Sequence, residues 1–234
     1  MKLEIITKPS KGEKKGSILF VHGVCHGAWC WAYYMEYFST NGYDTYALSL
    51  RGHGQSEGRE HLDKWGLSDY VADVLYAMST IKDIPILIGH SMGGAILQKL
   101  LGEHRVSVKA AILLAPSVAG GLSLSWKMRV TKKSFRQTLQ FQKIIDGSKI
   151  TIDTVKNSLF LNNRLPIEVV EKITPLLQAE SKRAAKDLEQ PYTPYYSNVT
   201  IPLLVIGSAA DLFFPREDLI KTATAYSIKP KAQQ

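Results

Sequence analysis

The chain has 234 residues, enough for one sizeable domain or two small ones. With 45% hydrophobic and 21% charged residues and a formal net charge of +8, it has a globular balance that excludes disordered and collagen-like classes. No apolar run reaches the roughly 20 residues of a membrane helix. The start, Met1-Lys2-Leu3-Glu4, lacks a signal peptide's apolar stretch, and Cys25 and Cys30 are too few and too close for a disulfide framework. The expectation is a cytoplasmic, single-domain protein.

In chain order, residues 17–21 read as a buried strand, continuous in apolar residues and stopped by His22-Gly23. A helix is expected over 28–40 and a strand over 43–50, ending at Arg51-Gly52-His53-Gly54. The next helix spans 69–81, with Ser68 placed as its N-cap. A strand over 84–88 stops at Gly89, a helix follows over 93–103, and a strand over 110–114 ends at Ala115-Pro116. Strands alternating with helices predict a mostly parallel α/β sheet. The alternation fails after Ser117: helices are expected over 126–145, 151–159 and 166–177, before Pro191, Pro194 and neighbouring tyrosines lead back to a strand over 203–206. The expected organisation is a core of 1–117 and 201–234 interrupted by a helical cap of 118–200.

Most of the charge excess lies in that cap. Between Val118 and Thr200, 13 Lys/Arg face 7 Asp/Glu. Such a segment could draw nucleic acid, anionic lipid or an acidic substrate. The acids are interleaved with the bases, so a solvated helical face is the plainer reading. No zinc-ligand spacing, aromatic RNA-binding motif or helix-turn-helix pattern supports a nucleic-acid partner.

Gly89-His90-Ser91-Met92-Gly93 is the sharpest chemical feature. It directly follows a strand and opens a helix, the setting in which a strained turn holds a serine hydroxyl clear of the sheet. Side chains at the flanking glycines would collide with the neighbouring strand or helix. His22-Gly23-Val24 sits at the carboxyl end of an earlier strand, the side of the sheet where ligands bind. Acyl transfer needs two backbone N–H groups aimed at a developing oxyanion; Met92 and Val24 are placed to supply them. Asp211 follows the last strand in Gly207-Ser208-Ala209-Ala210-Asp211, and Pro215 opens the next helix. A carboxylate there could orient a histidine.

Taken together and in order, His22-Gly23, Arg51-Gly52-His53-Gly54-Gln55-Ser56, Gly89-His90-Ser91-Met92-Gly93-Gly94 and the Asp211 turn resemble the α/β-hydrolases of serine esterase, monoacylglycerol lipase and lysophospholipase type. The resemblance runs from about Ser17 to Pro215, with the cap in the variable region. It implies Ser91 as nucleophile, Asp211 as the triad acid, Val24 and Met92 as oxyanion donors, a small-molecule or lipid ester substrate, and no cofactor or metal. One departure is Ser49, where many relatives carry aspartate. A larger one is that the family's histidine lies downstream of the acid, whereas the 23 residues after Asp211 contain none. The expectation is therefore a chain lacking its last strand and helix, nearly inactive alone and prone to self-association at an exposed edge strand.

Of the six histidines, His22 and His90 belong to the motifs, and His104 should end a helix far from Ser91. His26 is the one within plausible reach, although a loop histidine beside the cleft is the plainer reading. Cys25 reads as a small buried filler. In the cap, Leu122, Leu124, Trp126, Leu159, Phe160 and Leu161 offer apolar surface either for an acyl chain or for packing on the body. The basic cap also suggests peripheral contact with lipid. A noncatalytic ligand- or partner-binding role is the alternative to ester hydrolysis.

Overall fold

The computed structural model describes residues 1–159, 165–193, 195–208 and 210–228. Six strands form one sheet: β1 (Ile5–Lys8), β2 (Gly16–Val21), β3 (Tyr43–Leu48), β4 (Ile86–His90), β5 (Ala110–Leu114) and β6 (Leu203–Ile206), in the order β1-β3-β2-β4-β5-β6. All neighbouring pairs are parallel except β1 with β3. The helices α1 (Ala32–Thr40), α2 (Leu67–Ser79) and α3 (Met92–Glu103) intervene between strands. Between β5 and β6 come α4 (Leu124–Lys133), α5 (Phe135–Ile145), α6 (Ile152–Leu159), α7 (Ile167–Ile173) and α8 (Lys182–Asp187), here called the cap helices; α9 (Arg216–Ala225) follows β6.

Alternation along β2 divides the core, because successive strand side chains point to opposite faces. Leu19 and Val21 join Leu48, Tyr70, Val74, Leu97 and Leu100 under α2 and α3, whereas Ile18 and Phe20 pack with Trp31, Met35 and Ile88 on the α1 side. Covering both faces explains why β2 is apolar along most of its length and fully buried. A third, smaller core lies among the cap helices, where Ile144, Val155, Val170 and Leu177 close on Cys25 from the loop after β2.

The sequence expectations are corrected in several places. β1 went unread because it is a short edge strand whose burial does not alternate. The helix expected over 28–40 is a 3₁₀ turn, Ala28–Trp31, followed by α1. Ser68 is not an N-cap: α2 starts one residue earlier, where the Gly66 and Leu67 N–H groups donate to Asp69 Oδ2 and Asp187 Oδ2. β4 begins at Ile86 rather than 84, because Pro85 has no N–H for the ladder. The helix expected over 126–145 is two, broken at Ser134, whose φ of −156° and ψ of 86° are extended backbone. Residues 166–177 shorten to α7 plus a 3₁₀ turn at Thr174–Leu176, and α8 was not anticipated. β6 is an edge of the sheet among the described residues, with Leu204 and Ile206 exposed. The expectation that a last strand and helix are lacking concerns residues 229–234, which lie outside the described residues.

One crossing fixes the centre of the sheet. A Cβ added to Gly93 would stand 2.3 Å from Val21 O and 2.7 Å from His22 O, so the start of α3 touches the end of β2 backbone to backbone. A Cβ on Gly89 would meet Gly93 O at 2.5 Å. Backbone on both sides cannot step aside as a flexible side chain would. Gly93→Ala is expected to lower the unfolding free energy by about 3 kcal/mol, read from urea denaturation; a loss below about 1 kcal/mol would refute the crowding.

Candidate active site

Ser91 lies between β4 and α3 with φ 52° and ψ −115°. A non-glycine residue in this region stores about 1–3 kcal/mol of strain and persists only where its surroundings over-determine it. Here they do. Ser91 N–H donates to Leu114 O at 3.2 Å, while Ser91 O accepts from the Gly94, Ala95 and Ser117 N–H groups at 2.9, 3.3 and 3.0 Å. The serine opens onto a cavity of about 380 Å³ that also takes in Gly23, Val24, His26, His90 and Asp211. Gly23 permits this closeness, since a Cβ there would lie 2.9 Å from Ser91 Cβ.

Met92 is the first residue of α3, and Val24 sits on the loop after β2. Neither backbone N–H has a protein partner among the described residues. Val24 and half-buried Ser91 line the same cavity, and Met92 follows Ser91 at the N-terminus of α3, where backbone N–H groups favour negative charge.

His22 holds this loop in place. Its Nδ1 lies 2.8 Å from Gly23 O, and Leu50 N–H donates to its Nε2 at 3.0 Å, so Nδ1 carries the proton and the ring is neutral. Burial, reinforced by His53, lowers its pKa to about 3. His90 is lowered to about 4, by burial and then by His26. His26 stacks on Trp29 at 5.3 Å, and its Nδ1 lies 2.6 Å from Val24 O, leaving Nε2 as the basic nitrogen. Burial lowers its pKa as well. His104 closes the end of α3 and does not line this cavity.

Asp211 shares the cavity with Ser91, but its Oδ1 is occupied by the Phe213 and Phe214 N–H groups at 2.8 and 3.1 Å. The cap braces this turn: Trp126 Nε1–H donates to Phe213 O at 2.9 Å, and the Phe141 and Phe213 rings meet at 4.8 Å. A second cavity of about 440 Å³ opens from the same serine between Leu122, Trp126, Val130, Phe141 and Leu188. Thus Leu122, Trp126 and Leu159 face cavities, whereas Leu124 points outward and is corrected on that account. Phe160 and Leu161 lie outside the described residues. Cys25 is buried, its thiol pushed well up, mainly by burial. No three His, Cys, Asp or Glu side chains converge as a metal site would require, among the described residues.

Two features escaped sequence reasoning. The Ser49 departure is answered from the residue before β1: Ser49 donates to Glu4 Oε2 at 2.6 Å and accepts from Ala28 N–H at 2.8 Å, while Glu4 Oε2 also accepts from Gln55 N–H at 3.0 Å. A carboxylate is therefore present, delivered from the segment that leads into β1. The second feature is Glu180, a cap residue just before α8 whose side chain is buried. Its Oε1 accepts from Tyr70 OH and Ser181 N–H at 3.0 and 2.8 Å, and its Oε2 from Cys25 N–H at 3.2 Å. His53 Nε2 stands 3.1 Å from Oε2, at ion-pair range but off a hydrogen-bond line. Burial alone would raise this carboxyl; His53 and the two N–H donors outweigh it and hold it below the usual carboxylate range. Glu180 thus ties the cap to the residue after Val24. Its position, 155 residues from Cys25, leaves no local signal.

Comparison with known proteins agrees with this geometry. The family profile described as Hydrolase_4, serine aminopeptidase S33, matches residues 12–233. An esterase/lipase-type protein of Mycoplasma genitalium is 28% identical over 97% of this chain and 80% of its own length. Methylesterase 3 of Arabidopsis thaliana is 26% identical over 55% of this chain; the match spans 50% of that protein's length. Among solved structures, the Paleococcus ferrophilus monoacylglycerol lipase superposes with a TM-score of 0.69 at 18% identity, covering 98% of this chain and 86% of the other. MenH from S. aureus gives 0.68 at 17%, covering 95% and 86%. At these identities the structural likeness establishes the α/β-hydrolase fold.

The buried histidines set a pH dependence. Folded values of about 3 and about 4 for His22 and His90 lie below the ordinary 6.5, so the unfolded chain takes up protons that the folded one refuses. Their contribution to stability is complete above pH 6.5 and is lost as pH falls towards 4. Urea denaturation across this window is expected to show a steep decline, shallower in His90→Gln; parallel slopes would refute it. At neutral pH, Glu180→Gln, which sets an amide NH₂ against one of the O–H or N–H donors that the buried carboxylate accepts from, is expected to cost about 3 kcal/mol, and an unchanged denaturation midpoint would refute the need for a carboxylate there.

Proposed function

We propose that this chain, which belongs to the Hydrolase_4 family (serine aminopeptidase, S33) across residues 12–233, hydrolyses carboxylic esters through Ser91 at a nucleophile elbow. Ser91 Oγ attacks the acyl carbonyl, an imidazole takes its proton, the alcohol departs, and water releases the acyl-enzyme. The N–H groups of Val24 and Met92 receive the oxyanion, and the Asp211 carboxylate stabilises the charged imidazole. The observation that carries this reading is Ser91 in its positive-φ turn, beside two amides with no partner among the described residues. Of the imidazoles on the cavity wall, His26 has its Nδ1 engaged by Val24 O and its Nε2 left as an acceptor. It is the base this reading assigns within the described residues.

The phenylalanine-lined cavities suit a predominantly apolar acyl ester, of monoacylglycerol or lysophospholipid type. The esterase/lipase relative supports that class. A second reading, a noncatalytic α/β-hydrolase-like binding protein, is favoured by one observation. No imidazole is hydrogen-bonded to either Ser91 or Asp211 among the described residues, and Asp211 Oδ1 serves its own turn.

A fluorophosphonate probe separates the readings. The hydrolase reading expects rapid covalent labelling abolished by Ser91→Ala, with hydrolysis of p-nitrophenyl butyrate lost in parallel by a factor on the order of 10⁴ or more. His26→Ala should abolish both if His26 is the base. Labelling no faster than that of Ser91→Ala would decide for the binding protein.

A further inference from the structure

The two helices that line the cavities have an outer face that the esterase reading leaves unused. Across Leu124–Lys133 and Phe135–Ile145 the sequence carries six Lys/Arg and no acidic residue. The acids of the cap all lie further along the chain. Two of the six bases are paired, Lys127 with Glu189 further along the cap and Arg129 with Asp218 of α9. Lys132, Lys133, Arg136 and Lys143 have no carboxylate partner among the described residues.

Apolar side chains stand among these free bases. Leu124, Met128, Phe135 and Leu139 are 73%, 64%, 67% and 46% exposed. Helical spacing explains their direction. On α4, Trp126 and Val130 face the cavity, and Leu124 and Met128 precede them by two positions, about 200° around the helix. On α5, Gln137 and Phe141 face the cavity, with Phe135 and Leu139 displaced in the same way. At four-residue steps each outer row then runs apolar, apolar, lysine: Leu124-Met128-Lys132 and Phe135-Leu139-Lys143. Neighbouring solvent-exposed rows of this composition match no buried core, and large apolar side chains set among free cations suit a surface that is anionic outside and apolar beneath.

We propose that the outer face of α4 and α5 docks on an anionic lipid surface, with Met128 and Phe135 entering the headgroup boundary and Lys132, Lys133 and Arg136 meeting lipid phosphates and carboxylates. Polynucleotide would also attract the cations, but it gives the exposed apolar row nothing to enter. Because these helices carry cavity-lining residues on their other side, docking sets the cleft close to the lipid.

The test is co-sedimentation of the full chain with vesicles of phosphatidylcholine alone or mixed with phosphatidylserine. This readout does not depend on whether Ser91 is a nucleophile. Binding is expected to the mixed vesicles, at least tenfold weaker to phosphatidylcholine, and reduced by salt. Reversing three charges (Lys132→Glu, Lys133→Glu, Arg136→Glu) should weaken it about a hundredfold, and Met128→Ser with Phe135→Ser about tenfold. All five positions are surface sites, and an unchanged urea midpoint confirms that the variants fold. Equal binding to both vesicle types, or indifference to charge reversal, overturns the proposal. So does duplex DNA binding as tight as vesicle binding together with an unaltered serine double variant, which would make the face a polyanion site.

Discussion

Three stretches of backbone meet at Ser91, and the rest of the molecule is arranged around that contact. The end of β2, the end of β4 and the first turn of α3 approach so closely that no side chain fits between them: Gly93 lies against Val21 O, and Gly23 against Ser91 itself. The approach has a conformational cost at the serine, whose φ of 52° is sustained by the hydrogen bonds of its own N–H and C=O to β5, α3 and Ser117. Glycine supplies the closeness and hydrogen bonding supplies the rigidity. The consequence is a serine held in one strained turn on the wall of the cavity.

Charge is distributed so that this centre stays neutral while its supports do not. His22 and His90 are held uncharged by burial, and His22 is also fixed in one tautomer by Gly23 O and Leu50 N–H. A buried negative charge is set back from this centre, on Glu180, where His53, Tyr70 and two backbone amides surround it. A buried acid of this kind is a poor source of net stability but a strong determinant of position, because only one placement satisfies all its partners. Here that placement joins the cap to the backbone next to Val24.

The cap helices have two characters on two sides. Trp126 and Phe141 meet the Asp211 turn and wall the cavities, while their neighbours two positions earlier in the chain are exposed. Lys127 pairs within the cap with Glu189 and Arg129 pairs with Asp218 of α9, so the bases of these two helices without a carboxylate partner among the described residues lie at the end of α4 and along α5. With six bases and no acid, α4 and α5 carry most of the formal net charge of +8.

Much of the centre was legible in the sequence because its causes are local. Apolar runs stopped by glycine, or by Ala115-Pro116 in the case of β5, located β2, β4, β5 and β6, and the spacing Gly89-His90-Ser91-Met92-Gly93 located the turn, since strand, tight turn and helix follow one another within a few residues. Local pattern also overreached: it joined α4 to α5 across Ser134 and set Ser68 as a cap, because a break in φ and ψ or a donor from Asp187 leaves no trace in periodicity. What only the tertiary structure decided are the long-range pairings. Glu4 stands in beside Ser49, Glu180 reaches His53 and Cys25, and Trp126 braces the turn of Asp211. Each joins residues far apart in the chain through a buried or half-buried polar contact, and such a contact is specified by the closure of the fold rather than by the residues that flank it.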